Sequence, residues 1–449
     1  MAAESRRGPS ADQKYEERFR AWMSPANVPF ANPEVEKGYR HRVQLIKDAV
    51  ELKKPDRIPV CPVIGFFPAK YAGITAQETM YDYEKLRAAW KKYHQDFLPD
   101  SLATCMMASP GNKVFEILDY RLYRWPGHGT PPDTPYQCVE GEYMREDEYD
   151  ALIRDPSAYW MRFYMPRIFG ALEGWGLLAP FTDLVEMPFT SPFLVPIGMP
   201  QVQRSFEALL EAGRAAVEWL QAVGAIDAEI MGTLGLPSVI GGITKAPFDT
   251  LGDTLRGTRG IMLDIYRRPG KLLEAMEKLV PVAVEMGVRT ATVTGNPMVF
   301  IPLHKGADGF LSRENFAKFY WPTLKAVLLG LIDEGLVPWL FVEGSYNQRL
   351  DFLADPELPR GRIVWMFDQT DMVRVKEVLG GVACFAGNVP VTMLKAGTPE
   401  EVRQYVRDLI EKVGQDGGFI LTTGGVVDDA EPENFRAMIE AGKEYGVYR

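Results

Sequence analysis

The amino-acid sequence predicts an α/β protein built as one (β/α)8 TIM barrel, with an N-terminal arm and an insertion that caps the C-terminal face of the barrel. Short apolar runs, many of them rich in β-branched residues, recur along the chain, and an amphipathic stretch follows each of them. Continuous apolar strands that alternate with helices indicate a parallel sheet buried on both faces. The last five units follow one another without interruption, which favours a closed barrel over an open sheet. The apolar runs occupy residues 57–65, 237–242, 297–304, 336–343, 362–368, 382–387 and 418–423.

Two parts of the chain lie outside this repeating pattern. Residues 1–52 predict an arm and a lead-in helix, in which Pro25, Pro29 and Pro33 prevent one continuous helix. The arm has two surfaces on which to pack, its own barrel or a second copy of the chain, and the second alternative predicts a homodimer. Residues 53–449 form the barrel, and an insertion within about 106–235 interrupts it.

Composition excludes several classes of function. The chain has 449 residues and a net charge of −10, which argues against a nucleic-acid partner because such proteins need a basic surface. Four scattered cysteines form no CxxC pair, which excludes a disulfide framework and indicates a reducing cytoplasm. No apolar run is long enough to cross a membrane, and the N-terminus lacks the apolar core of a signal peptide. We therefore expect a soluble cytoplasmic protein without a membrane partner.

Common catalytic motifs are missing from the sequence. No G-x-G-x-x-G follows a predicted strand, and no G-x-x-x-x-G-K-[ST], HExxH or recognisable Ser-His-Asp set occurs. A dinucleotide cofactor and an ATP-driven reaction therefore have no direct support.

Polar side chains follow the apolar runs directly, at the strand ends that form the active site of a barrel. Charged groups are seldom placed beside a buried strand unless they are paired or used. We therefore predict that one cleft is lined by His304, Glu343, Asp368 with Gln369, and Asn388. Each residue has a structural alternative, namely a hydrogen bond to a loop carbonyl for the histidine, helix capping for the acids and a turn for the asparagine. Of the other histidines, His94 is predicted at a helix surface, and His128 could reach the cleft from the insertion.

The order of short motifs resembles the uroporphyrinogen decarboxylase superfamily, a group of (β/α)8 barrels that includes corrinoid-linked methyltransferases. The resemblance runs from residue 53 to the C-terminus and depends on the order of motifs, since no single motif is specific. The motifs are Pro-Asp-Arg-Ile-Pro at 55–59, Leu-Arg-Gly at 255–257, Asp-Ile-Tyr-Arg-Arg-Pro at 264–269, Ala-Gly-Asn-Val-Pro at 386–390 and Glu-Pro-Glu-Asn-Phe at 431–435.

The chain departs from both well-known chemistries of that family. The decarboxylases carry an arginine-rich stretch after the first strand, where this sequence reads Gly-Phe-Phe-Pro-Ala-Lys-Tyr at 65–71. The zinc methyltransferases use two cysteine ligands, and the resemblance puts Glu343 and Gly424 at those positions. Tetrapyrrole binding and thiolate zinc binding are therefore not expected. His304 and Glu343 could still form a zinc site with nitrogen and oxygen ligands.

Three functions follow from this resemblance and these departures. The first is transfer of a methyl group from a small substrate, such as a methoxylated aromatic, to cobalamin on a separate corrinoid protein, because the chain has no D-x-H-x-x-G cobalamin motif. In that enzyme Glu343, His304 and Asp368 are the catalytic candidates. The substrate-binding candidates are Asn388, Gln369, Phe66, Phe67, Tyr71, Met106 and Trp339. The second is a cofactor-free decarboxylase or lyase, in which Asp368 or His304 protonates the carbanion, and the third is a binding protein without catalysis.

Overall fold

The centre of the molecule is a parallel sheet of six consecutive strands. The computed structural model describes residues 8–26 and 28–448. The strands pair in sequence order, and all pairs are parallel. They are β1 (Gly242–Ile243), β2 (Met298–Leu303), β3 (Val337–Val342), β4 (Val364–Phe367), β5 (Cys384–Val389) and β6 (Phe419–Thr423).

Two extended segments, 59–64 and 100–103, close this sheet into a ring. Val60 forms a parallel bridge with Leu421 of β6, and its carbonyl accepts the Asp100 backbone N–H at 2.9 Å. Leu102 in turn bridges Ser238, which precedes β1. The ring therefore has eight members, and the predicted (β/α)8 barrel is confirmed.

Alternate strand positions point to two different apolar cores. Inward positions such as Phe300, Trp339 and Met366 fill the barrel, whereas Ile301, Leu340 and Phe367 pack beneath the helices. Successive side chains of a strand point to opposite faces of the sheet, so every second residue belongs to the barrel interior and the residues between them pack under the helices. Trp339 is 1% exposed and belongs to the barrel interior.

The N-terminal arm closes the bottom of its own barrel. It consists of helices α1 (Ala11–Met23) and α2 (Pro33–Val50), which begin at side-chain caps from Ser10 and Asn32. Tyr15, Phe19 and Trp22 are buried in the same cluster as the first inward residues of β2 and β3. Packing on its own barrel accounts for the apolar face of the arm, and the homodimer stays a prediction.

The insertion lies over the C-terminal face of the barrel and is tied to it by one buried arginine. Its small sheet contains Tyr123–Pro126, Gly129–Thr130 and Gln137–Cys138. Arg256, which is 3% exposed, pairs with Asp264 at 2.6 Å on the barrel side and with Glu142 of the insertion. Tyr149 donates a hydrogen bond to the same Asp264 at 2.7 Å.

Helices surround the barrel, and no helix in the described ranges is long and apolar enough to span a membrane. Before β1 the α-helices after the arm are Phe67–Ala72, Ala76–Tyr81, Tyr83–Phe97, Asn112–Leu118, Tyr149–Arg154, Pro156–Tyr159, Met165–Ile168, Met187–Leu194 and Pro200–Leu234. After β1 they are Pro247–Asp249, Gly257–Arg267, Pro269–Thr294, Arg313–Asn315, Trp321–Asp333, Leu350–Leu353, Met372–Leu379, Val391–Ala396, Pro399–Leu409 and Pro432–Tyr445. In residues 8–26 and 28–448, 3-10 helices occupy Cys105–Met107, Gly170–Leu177, Phe181–Asp183 and Val195–Gly198. In the same ranges, π-helical turns occupy Trp160–Tyr164, Thr250–Leu255, Phe316–Tyr320 and Ile410–Gly414.

Candidate active site

Strand register places four polar residues in one row at the mouth of the barrel. Leu303 pairs with Val342, and Val342 with Phe367, so the next residue of each strand segment (304, 343 and 368) occupies an adjacent position. Met366 pairs with Ala386, so two residues further along both strands residue 388 lies opposite residue 368 and joins the same row. Adjacent strands lie about 4.8 Å apart, so side chains in such a row are neighbours. The row consists of His304, Glu343, Asp368 and Asn388.

His304 is held between two carboxylates. Its Nδ1 lies 2.6 Å from Oδ2 of Asp253, and its Nε2 lies 3.7 Å from Oε1 of Glu343. Asp253 belongs to the π-helical turn Thr250–Leu255 after β1, and single π-turns are frequent at functional sites. A carboxylate on Nδ1 fixes the ring orientation and leaves Nε2 free to exchange a proton.

Asp253 also binds two lysines. Its carboxylate lies 2.8 Å from Nζ of Lys245 and 3.0 Å from Nζ of Lys305. Lys305 reaches this position across Gly252, where a Cβ atom would come within 2.7 Å of the lysine side chain. Three cationic groups thus share one carboxylate at the mouth of the barrel.

A second carboxylate, that of Asp249, binds the backbone of the segment that carries His304 and Lys305. Asp249 is fully buried and accepts the backbone N–H groups of His304 and Lys305 at 3.2 and 3.0 Å. The hydroxyl of Tyr320 donates to it at 2.6 Å. These three bonds hold the segment after β2 in place, so Asp249 is a positioning residue.

The charges in this group shift one another's pKa values. Burial by itself lowers the pKa of His304, but the hydrogen bond to Asp253 and the charge of Glu343 outweigh it, so this pKa is raised. Burial raises the pKa of Glu343, and the charge of His304 opposes that rise only in part. Burial also raises the pKa of Asp249, to about 6. Asp253 is the exception, because His304 and Lys245 overcome its burial and hold its pKa well below the usual range.

The two carboxylates beside His304 have pKa shifts of opposite direction. Asp253 is ionised to lower pH than an ordinary aspartate and favours a proton on Nδ1 of the imidazole, whereas Glu343 holds a proton to higher pH than an ordinary carboxyl group. Pairs of titratable groups whose pKa values are pushed apart are typical of acid–base sites. The row can therefore donate a proton at Glu343 and replenish it from His304.

Asp368 and Asn388 organise the neighbouring loops. Asp368 accepts the backbone N–H of Gly344 at 3.0 Å. The amide of Asn388 donates to the carbonyls of Asp368 and Thr370 at 2.9 and 3.1 Å, which uses both of its N–H groups. Asn388 therefore positions the loop after β4 and has no donor left for a substrate. Burial raises the pKa of Asp368 against the effect of the Gly344 hydrogen bond.

Asp368 does not cap the helix that follows it, as the structural alternative predicted, because another aspartate does so. Asp371 caps helix Met372–Leu379 by accepting the N–H groups of Val373 and Arg374. Gln369 is exposed beside the row, and its backbone N–H donates to the Gly344 carbonyl at 3.2 Å.

Of the apolar residues expected to bind substrate, Phe66 lines a cleft at this face. It belongs to a cavity of about 440 Å³ between residues 65–66 and the loop that follows β6. Met107 lines this cavity, and its neighbour Met106, which is not part of the lining, is exposed to a similar extent.

Three of the expected substrate-binding residues are corrected by the structure. Phe67 and Trp339 are each 1% exposed and lie in the core. Tyr71 packs on Phe67 and Phe97 in the helical layer, where its hydroxyl donates to Asp96 at 2.7 Å. All three are apolar or aromatic, and burial beneath helices or inside the barrel satisfies such side chains as well as a pocket does.

The remaining histidines do not join the row. His94, expected at a surface, is fully buried, where Nδ1 bonds the Trp90 carbonyl at 2.7 Å and Nε2 accepts the Ala103 N–H at 2.9 Å. Burial lowers the pKa of His94 to about 4, consistent with a neutral ring. His128 stacks on Trp125 in the insertion instead of reaching the cleft.

Sequence reasoning missed Asp249, Asp253, Lys245 and Lys305. The two aspartates are four residues apart just after β1, a spacing that puts side chains on one side of a helical turn. This spacing is the sequence feature by which Asp249 and Asp253 could have been predicted to lie in one site.

The barrel mouth offers fewer protein ligands than a catalytic zinc ion requires. Catalytic zinc sites use three protein ligands. The residues that the structure describes contain no group of three or more His, Cys, Asp or Glu side chains arranged to hold a metal ion. His304 Nε2 and Glu343 supply two, while Asp253 is already engaged with Nδ1 and the lysines. These residues do not by themselves fit zinc, so no step below is routed through a metal.

Comparison with known proteins agrees with the fold. The family model of uroporphyrinogen decarboxylase (URO-D) matches residues 208–445. The uroporphyrinogen decarboxylase of Methylococcus capsulatus is 29% identical over 206 residues, which are 45% of this chain and 57% of that protein. The uroporphyrinogen decarboxylase of Psychromonas ingrahamii is 24% identical over 234 residues, which are 51% of this chain and 64% of that protein. This chain therefore spans less than two thirds of the length of these curated relatives.

A solved structure extends the likeness over more of the chain. A methyltransferase from Methanosarcina mazei has a TM-score of 0.58 and 14% sequence identity, and the match covers 89% of this chain and 98% of that one. At this identity the likeness concerns the fold. Since the family model covers more than half of the sequence, this chain belongs to the uroporphyrinogen decarboxylase family.

Proposed function

We propose that this chain transfers a methyl group from a small methoxylated substrate, with aromatic ethers as the leading class, to a corrinoid carried by a separate protein. The observation that carries the proposal is the contact between His304 and Glu343, in which an imidazole oriented by Asp253 faces a carboxyl group of raised pKa. Loss of a methyl group from an ether oxygen depends on protonation of that oxygen, which is what such a pair supplies.

The proposed step moves one proton from the chain to the substrate. A corrinoid on the partner protein would supply the electron pair for the new bond to the methyl carbon. The carbon–oxygen bond breaks with its electron pair on oxygen, and Glu343 donates a proton to that oxygen. The imidazolium of His304, 3.7 Å from Glu343 and aligned by Asp253, returns a proton to Glu343 once the two groups close to hydrogen-bond distance. Solvent then reprotonates the imidazole.

The charges at the barrel mouth argue against a substrate with many carboxylates. Lys245 and Lys305 are both paired with Asp253, and Lys70 is paired with Asp429 at 2.7 Å. Asp368 and Asp428 add further negative charge to the same face. A tetrapyrrole polycarboxylate would need free cations to replace its hydration, and the lysines on this face are already engaged.

Decarboxylation of a smaller acid is the second candidate, because the sequence relatives are named uroporphyrinogen decarboxylases. In that reaction the bond to the carboxylate carbon breaks as carbon dioxide leaves, and His304 or Asp368 protonates the resulting carbanion. His304 is a candidate acid in both reactions, and the two candidates differ in whether a corrinoid is methylated.

The test incubates the purified chain with free cob(I)alamin, as a surrogate acceptor, and a panel of methoxyphenols and methoxybenzoates. The expected result is substrate-dependent consumption of Co(I), followed by absorbance, with one phenol released per methyl group transferred. His304→Gln and Glu343→Gln should abolish it, while Asp150→Asn, a change at an exposed carboxylate paired with Lys271, should not.

Other outcomes would replace the proposal. Release of carbon dioxide from a small acid without cobalamin would establish the decarboxylase, and saturable binding without turnover would establish a binding protein. Metal analysis of the wild-type protein and of Glu343→Gln separately tests the hypothesis of a zinc site at His304 and Glu343.

A further inference from the structure

The cleft beside Phe66 contains a carboxylate that the acid–base row does not use. Asp428 follows β6, on the opposite side of the barrel mouth from His304, and lines both the 440 Å³ cavity and an adjoining one of about 180 Å³. Its Oδ1 accepts the backbone N–H of Phe66 at 2.9 Å. The space for this carboxylate exists because residue 65 is glycine, since a Cβ atom there would overlap Oδ1.

Asp428 has no cationic partner within the part of the chain that the structure describes. Lys70, which lines the smaller cavity, instead binds Asp429 at 2.7 Å. Asp133 lines the smaller cavity too and adds a second negative charge. Burial raises the pKa of Asp428 against the Phe66 hydrogen bond and the more distant charge of Lys70. A cationic ligand in ion-pair contact would stabilise the ionised form of this partly buried carboxylate.

The walls of the cleft are aromatic and apolar. The rings of Phe66 and Tyr136 meet edge to face with centroids 5.8 Å apart. The hydroxyl of Tyr136 donates to the Met107 carbonyl at 2.7 Å, which fixes this ring against the barrel. Val426 completes the lining next to Asp428. Aromatic faces around a negative charge are the usual surroundings of a bound organic ammonium group.

From the cleft and its charge we propose that Asp428, Phe66 and Tyr136 form a binding site for an organic cation, of the alkylammonium or quaternary ammonium class. Asp428 pairs with the positive charge, and the two rings contact its alkyl groups. The combined cavities are large enough for a small-molecule ligand of this class.

The cation site and the acid–base row share the mouth of the barrel, since Asp428 and His304 both follow the C-terminal ends of strands. In the insertion, Tyr136 lies 5.9 Å from Tyr123, centroid to centroid. A substrate that occupied both places would carry a cationic group at one end and its methoxy group at the other. This last statement rests on the proposed function, whereas binding of the cation does not.

The experiment compares choline with 3,3-dimethylbutan-1-ol, which has the same shape without the charge, by calorimetry at low ionic strength. We expect choline to bind at least about 10-fold more tightly than the neutral alcohol. Asp428→Asn, which can still accept the Phe66 N–H, should reduce that preference to less than about 3-fold. Asp150→Asn changes the net charge equally on an exposed surface helix and should leave the preference intact.

A second pair of variants tests the aromatic wall. Tyr136→Leu should weaken choline binding by about 5-fold or more, while Tyr136→Phe should stay within about 3-fold of the wild type. Equal affinity for choline and the alcohol, no binding of either probe, or a preference that survives Asp428→Asn would each overturn the proposal. Because the assay needs no turnover, its failure is distinguishable from failure of the methyl-transfer reaction.

Discussion

Substitution of Asp253 by asparagine tests the charge arrangement at the barrel mouth most directly. The change keeps the shape of the side chain but leaves His304, Lys245 and Lys305 without their common anion. The Asp253 carboxylate contacts these three groups at 2.6, 2.8 and 3.0 Å and is 19% exposed. Removal of one partner from a buried ion pair costs about 3–5 kcal/mol. Allowing for the exposed fraction, we expect a loss of about 2–4 kcal/mol in the free energy of unfolding at pH 7.

The pH dependence of this loss has a definite sign. The pKa of His304 is raised in the folded state, so its stabilising contribution is complete below the ordinary histidine pKa and disappears as pH rises through the folded value. Asp253→Asn removes the main cause of that contribution. The difference between variant and wild type should therefore be larger at pH 6 than at pH 9.

Urea unfolding curves at pH 6, 7 and 9 measure this difference. The matched control is Asp150→Asn, whose carboxylate binds Lys271 at 2.7 Å but is 71% exposed, and it should cost less than about 1 kcal/mol. A loss below about 1 kcal/mol in Asp253→Asn, or an equal loss at pH 6 and pH 9, would refute the assigned charges.

Three further predictions concern turnover and the core. Glu343→Gln should lower turnover by about 10²-fold or more, the usual scale for a general acid, and should leave the unfolding midpoint unchanged. Wild-type turnover in this variant would contradict the acid role of Glu343. Turnover should fall as pH rises through the raised pKa of His304, because the imidazolium replenishes the acid. Asp253→Asn removes the carboxylate that raises this pKa, so its pH–rate profile should show the fall at lower pH than that of the wild type. Trp339→Ala should destabilise the protein by about 3–5 kcal/mol in urea titrations, because the indole fills the barrel interior, and an unchanged midpoint would show that it does not.

Secondary structure followed from the sequence where periodicity was strong. The amphipathic stretch 313–334 predicts a helix, and the structure has one from Arg313 to Asp333, continuous through a π-helical turn. The stretch 78–93 also predicts one helix, but the structure divides it at Asp82, whose side chain caps the helix Tyr83–Phe97. The segment 100–103 was missed because Asp100 and Ser101 interrupt its apolar character. The buried Asp100 carboxylate accepts hydrogen bonds from Arg57 and from the Val60 N–H.

What the sequence by itself determined is the barrel and the row of residues at its mouth. Apolar runs of strand length and a strand period of two are local properties, and they are enough to identify the residues that follow each strand. His304, Glu343, Asp368 and Asn388 could be selected in this way before any contact was known.

Tertiary structure decided which partners these residues have. Asp253 lies 51 residues before His304, and their contact depends on how the turn after β1 packs against the end of β2. Phe66 and Phe67 are chemically identical neighbours, yet one lines a cleft and the other lies in the core. Apolar side chains avoid water equally well in either place, so three-dimensional packing alone separates a binding surface from the interior.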